Sequence, residues 1–169
     1  MRRLKRNIGL VLALLVFLTG VKPVPARAAA KGSDISAGDL PGSQIYATIS
    51  GNNYGICIMG GLKGEFTVPE KYDGKTINTI EIRDCDGLTG VTAGENIKNL
   101  IIRNCDSVNT LTLPASLEEI TIDSCHALGK VTIDKNNKKL ASVYNAVYSK
   151  DYRTLYYLSL IHISEPTRL

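Results

Sequence analysis

Helical periodicity is missing from this chain, and so are the familiar furnishings of an active site. No stretch repeats its apolar residues at the 3.6 spacing that an amphipathic helix requires. The 169 residues include only two histidines. His162 lies in the closing tail, and His126 has no Ser or Cys nucleophile with an evident acid partner, so it reads as a corner residue. There is no Gly-rich phosphate loop and no paired-carboxylate motif. The chain is therefore expected to be no enzyme, with no catalytic residue, no metal site and no cofactor. An excess of positive charge is also lacking once the chain is divided. The whole sequence holds 20 Lys and Arg against 16 Asp and Glu. Six of those bases (Arg2, Arg3, Lys5, Arg6, Lys22, Arg27) fall in the first thirty residues. Setting them aside, with Arg168 and Glu165 of the tail, leaves 13 bases against 15 acids over residues 31–157. Such a surface has no electrostatic footprint for nucleic acid or an anionic membrane.

The basic opening has its own explanation. Residues 1–6 form a basic n-region, and "IGLVLALLVFLTG" from Ile8 to Gly20 is an apolar h-region. That run is shorter than the roughly 20 residues a membrane span needs. "PVPARAAA" then offers small residues for cleavage after Ala28 or Ala30. The pattern is that of a secretory signal peptide over 1–30. No cysteine directly follows the h-region, so a lipid anchor is not expected, and Arg2-Arg3 reads as part of an ordinary n-region. The mature chain is expected to be secreted or displayed at the cell surface, without a membrane span.

What the chain does contain is a beat. "INTIEIRDCDGLTGVTAGEN" from Ile77, "IKNLIIRNCDSVNTLTLPAS" from Ile97 and "LEEITIDSCHALGKVTIDKN" from Leu117 align without a gap at a spacing of 20. Cys85, Cys105 and Cys125 share a column, as do Ile80, Leu100 and Ile120, and Val91, Leu111 and Val131. Each unit carries two short runs whose side chains alternate inward and outward. Gly87, Gly90, Gly94 and Pro114 punctuate the turns. A shared period across so many columns marks a stacked-repeat solenoid, one coil per repeat, with strands about 4.8 Å apart. The expected organisation is a polar leader (31–44), an N-terminal cap (45–76), three repeats (77–136) and the strand and β-hairpin of a further repeat (137–157).

The columns also supply the candidate sites. Cys85, Cys105 and Cys125 form a line, whereas metal ligands must converge on a point. Two readings stay open for them, a buried thiol ladder and inter-coil disulfides in an exported protein. Parallel Cβ vectors suit the disulfide dihedral poorly and favour the ladder. Thr67, Thr92, Thr112 and Thr132 form an outward column. It is a face for water or glycan, or simply cross-strand pairing of good strand formers. The outward column Glu81, Ile101 and Thr121, with Arg83 and Arg103 nearby, is the candidate binding patch, since repeat proteins bind through surfaces spread over many coils. "KNNKK" at 135–139 reads as a solvated turn.

At these residues the sequence resembles extracellular bacterial leucine-rich repeats of the BspA-like kind. The likeness rests on "CDGLTGVT", "CDSVNTLTLPASLEEITI" and "CHALGKVTI", with the entry segment "YGICIMGGLKGEFTVPEKYDGKTINTI" and the exit segment "VTIDKNNKKLASVYNAVYSKDYRTLYY". It covers about Ile45 to Tyr157. The 20-residue spacing is short for that family, and its convex-side Asp-x-x-Ala-Phe segment is absent. The resemblance implies a mainly β leucine-rich-repeat solenoid with two short strands per coil and an N-terminal β-hairpin cap; no C-terminal cap is expected, because the repeat pattern breaks off at Tyr157. It implies a protein or glycan ligand bound in adhesion. The alternative is a spacer or targeting domain of a larger surface enzyme. After Tyr157 the beat stops. "LSLIHISEPTR" at 158–168 is identical to a one-frame translation of a transposase adapter used in preparing sequencing libraries. The segment 158–169 is therefore expected to be an artefact, and the chain a fragment of a longer one.

Overall fold

The computed structural model describes residues 34–50 and 53–159. The expected signal peptide, residues 31–33 of the leader and residues 160–169 of the tail lie outside the described residues. In chain order the strands are β1 (Asp34–Ile35), β2 (Gln44–Ser50), β3 (Asn53–Met59), β4 (Lys63–Thr67), β5 (Lys71–Tyr72), β6 (Lys75–Thr76), β7 (Thr79–Arg83) and β8 (Gly87–Thr92). They continue with β9 (Asn99–Arg103), β10 (Thr110–Leu113), β11 (Glu119–Asp123), β12 (Lys130–Ile133), β13 (Leu140–Val143), β14 (Ala146–Ser149) and β15 (Leu155–Tyr157). One 3-10 turn, Ala37–Asp39, is the only helical element among the described residues.

The molecule is a mainly β solenoid. Four two-stranded coils, β3–β4, β7–β8, β9–β10 and β11–β12, stack in parallel. Their first strands form one sheet in the order β11-β9-β7-β3-β2, and their second strands form a facing sheet in the order β12-β10-β8-β4. Coil-to-coil register keeps the period of 20: Ile80, Leu100 and Ile120 stand side by side, as do Val91, Leu111 and Val131. Alternation then sends Ile56, Ile58, Ile80, Ile82, Leu100 and Ile102 inward, to share one core with Phe66, Leu88, Val91, Leu111 and Leu113 of the other sheet and with Val108 of the corner before β10. Each such side chain contributes roughly 1.5–3 kcal/mol on burial.

Every coil turns its first corner in the same way. Gly60, Asp84, Asn104 and Ser124 hold φ of 67°, 54°, 52° and 52°. The left-handed backbone aims each N–H along the stack, so that Gly60 N donates to Arg83 O, Asp84 N to Arg103 O and Asn104 N to Asp123 O. Gly, Asp and Asn tolerate this conformation better than most residues. The next residue of the three repeats is the cysteine. Its thiol donates back to the carbonyl two residues earlier: Cys85 to Arg83 O at 3.2 Å, Cys105 to Arg103 O at 3.2 Å and Cys125 to Asp123 O at 3.4 Å.

The two ends are finished differently. At the start, β2 pairs antiparallel with β3 from Gln44↔Met59 to Ser50↔Asn53 and becomes the edge strand of the first sheet, while β4 stands at the edge of the second. The short sheet of β1, β5 and β6 lies beside it. At the other end, neither β11 nor β12 acquires a further strand in its own sheet among the described residues, so both sheets keep an unpaired edge. The segment 137–157 instead forms a separate antiparallel meander, β13-β14-β15. Its Leu140 and Val147 are buried in the common core, and Tyr157 packs against it. Hydroxyls take over where backbone pairing stops: Ser142 Oγ donates to Val131 O at 3.0 Å, and Tyr157 Oη donates to Leu128 O at 2.9 Å.

Candidate ligand-binding faces

The outward side of the five-stranded sheet gathers the charged candidates. Register places Cys57, Glu81, Ile101 and Thr121 in one row, and Met59, Arg83, Arg103 and Asp123 in the next. Antiparallel pairing with β2 extends the rows to Tyr46 and Gln44. All five sequence candidates therefore share one face, and no other layer covers it among the described residues. Glu81 stands between the two arginines. Its Oε1 lies 3.7 Å from Arg83 Nε and 3.7 Å from Arg103 Nη1. Both distances suit an ion pair but exceed hydrogen-bond length. The Nε of each arginine is buried and makes no hydrogen bond, while the side chains remain 37% and 41% exposed. Burial first, and the neighbouring Glu81 charge second, hold the Cys57 thiol above the ordinary thiol range. That keeps it protonated and a poor nucleophile.

The facing sheet presents the threonines. Thr67, Thr92, Thr112 and Thr132 are in direct register, all but the half-buried Thr67 exposed. The adjacent outward row is Glu65, Gly90, Thr110 and Lys130, a mixed set. At Gly90 the surface dips into an open depression of about 250 Å³ that also touches Glu65 and Lys130. A Cβ at position 90 would meet Thr110 Oγ1 at 2.7 Å, so the missing side chain is what gives the Thr110 hydroxyl its place.

Cys85, Cys105 and Cys125 are buried and, like the half-buried Cys57, free thiols. The hydrogen bond with Cys105, and burial after it, hold Cys85 well above the usual thiol range. Burial pushes Cys125 up to about 11. Protonated thiols of this kind are packing and hydrogen-bonding groups. His126 sits on the solvent side of the same corner, its Nδ1 2.6 Å from Asp106 Oδ1. That hydrogen bond keeps the Asp106 carboxyl below its usual range. The pair joins two neighbouring coils, and both side chains are largely exposed. Among the described residues no group of three or more His, Cys, Asp or Glu is placed to hold a metal ion.

Sequence reasoning missed Met59, Cys57, Tyr46 and Gln44 as parts of the charged face. A signal existed, since Ile56-x-Ile58 repeats the Ile80-x-Ile82 pattern, but at an offset of 24 rather than 20. It also missed Asn137. This residue continues the column of Ile77, Ile97 and Leu117, and it is 1% exposed. Its Nδ2 donates to Pro114 O and Leu117 O, and its Oδ1 accepts from Lys139 N and Leu140 N, all at 2.7–2.9 Å. Comparison with known proteins adds no relative: no family model, no curated protein and no solved structure matches the chain.

Proposed function

We propose that this chain is the repeat region of an exported, surface-displayed binding or adhesion module of the leucine-rich-repeat kind, and that it performs no chemistry. A protein or glycan ligand lies on the outward side of the five-stranded sheet, across Glu81, Ile101 and Thr121 and beside Arg83 and Arg103. The observation that carries this reading is the uncovered row-on-row placement of these side chains on a parallel sheet. A solvated sheet face commonly carries polar residues at its outward positions. This one holds Ile101, Met59 and two arginines in half-buried positions. Aliphatic, Met and Arg side chains in the middle of an exposed surface are the composition of interface centres.

The purified protein, tested on immobilised extracellular-matrix proteins and cell-wall glycans, is expected to be retained on at least one surface. Ile101→Arg is expected to abolish retention, and Thr112→Arg on the opposite sheet to leave it intact. The reverse pattern moves the site to the threonine face. Retention on no surface by the wild-type protein argues for a spacer role.

A further inference from the structure

From the arginine pair we infer that the charged face recognises a carboxylate carried by an acidic polypeptide, and that Glu81 holds the place of that carboxylate in the free protein. This deepens the binding-module reading and rests on it. A parallel sheet that sets Arg83 directly beside Arg103 puts like charges in opposing positions, which costs stability. The arrangement is expected to have compensation, yet the structure supplies little. Asp123, the next residue in the row, accepts the Ser124 hydroxyl at 3.1 Å. Asp84 accepts the Asn104 amide at 2.9 Å. Among the described residues Glu81 alone makes ion pairs to the arginines, and at 3.7 Å to each it completes no hydrogen bond with either.

Two guanidinium groups on partly exposed side chains thus share one carboxylate. Guanidinium donors match a carboxylate in a planar, bidentate fork, and such charge-assisted bonds are about twice as strong as neutral ones. An incoming carboxylate makes direct hydrogen bonds that Glu81 does not reach. The surroundings choose the carrier. Met59, Ile101 and Cys57 flank the pair, and none is a strong hydrogen-bonding group. An acidic sugar would press its ring hydroxyls against these side chains and leave them unpaired, at a cost. A Glu or Asp side chain on a polypeptide brings alkyl groups instead. Bulk charge does not explain such binding, because residues 31–157 carry more acids than bases.

The test uses poly-L-glutamate, with polygalacturonate as the acidic glycan and poly-L-lysine as the opposite charge. Poly-L-glutamate is expected to bind in a salt-sensitive way, and the other two weakly or not at all. Arg83→Ala with Arg103→Ala is expected to lower affinity at least about tenfold. The Lys pair at the same positions keeps the charge and is expected to lose most of that affinity by losing the fork. Glu81→Gln removes the internal competitor while leaving both arginines, and is expected to tighten binding about fivefold or more. Preference for polygalacturonate, no effect of the arginine changes, weaker binding after Glu81→Gln, or no binding of any polymer overturns the proposal. The broader reading is judged separately, by the Ile101→Arg and Thr112→Arg variants on the immobilised surfaces.

Discussion

The two ends of the solenoid solve one problem by different means. A stack of coils leaves an unpaired strand edge and an open core at each end. At the start, backbone answers backbone in one of the two sheets: β2 pairs along the full length of β3 while β4 stays at the edge of the other, and Ile56 and Ile58 beneath are 2% and 0% exposed. At the far end side chains answer. Asn137, Ser142 and Tyr157 donate hydrogen bonds to the Leu117, Val131 and Leu128 carbonyls, while Leu140 and Val147 cover the core. The price is visible along the columns, where Ile80 and Leu100 are fully buried but Ile120 is 6% exposed, and where Ile82 and Ile102 are buried but Ile122 only half so. A strand seals an edge with many equivalent bonds. A side-chain finish depends on a few individual ones.

Six substitutions, in four tests, sharpen or break that contrast, in falling order of effect. Gly61→Ala strikes the near end, where φ is +72° and a Cβ would lie 2.5 Å from the backbone of Gly42 and Ser43. Backbone cannot give way cheaply, so a loss of about 3–5 kcal/mol is expected in urea unfolding. Asn137→Leu strikes the far end. It restores an apolar residue to its column but orphans the Leu117 carbonyl and two N–H groups, while Pro114 O keeps the Leu117 N–H, and a loss of about 2–4 kcal/mol is expected. A neutral or stabilising result would mean that apolar packing alone finishes this end, and the contrast would fail. Ile→Val at positions 82, 102 and 122 removes the same methylene along one column. The cost is expected to be about 1 kcal/mol at the two buried positions and clearly less at 122. Equal costs at all three would deny the loosening toward the far end. Smallest is Ser124→Asn. The left-handed φ of 52° suits Asn better than Ser, so a gain of about 0.5 kcal/mol in thermal unfolding is expected.

Much of this was legible beforehand, for a physical reason. Alternation along a strand and stacking of like residues are local rules, so the columns of Ile80, Val91, Cys85 and Thr92 could be read as columns. The position before each cysteine was legible in part, since Asp84 and Asn104 fit a left-handed corner, whereas Ser124 hides it. The first coil escaped because its corner between β3 and β4 runs through Gly60 and Gly61 and its register to the next coil is offset by 24. The five candidate residues stand in adjacent rows of one sheet, as their spacing of 20 implies. That Glu81 lies equally far from both arginines, and bonds to neither, is a matter of side-chain distance that no spacing encodes.

By itself, then, the sequence determined the β class, the period and the inward-facing residues, because backbone geometry converts an alternating repeat into stacked coils directly. Tertiary structure alone decided where the coil ladder stops and how the charged face is wired. Asn137 occupies a position that the repeat marks as apolar, and only its approach to carbonyls 20 and 23 residues earlier makes it a satisfied, buried polar group beside the last parallel coil of the described residues. Those partners are set by packing across coils, where a hydrogen bond gained or lost in the dry interior outweighs the pattern that led up to it.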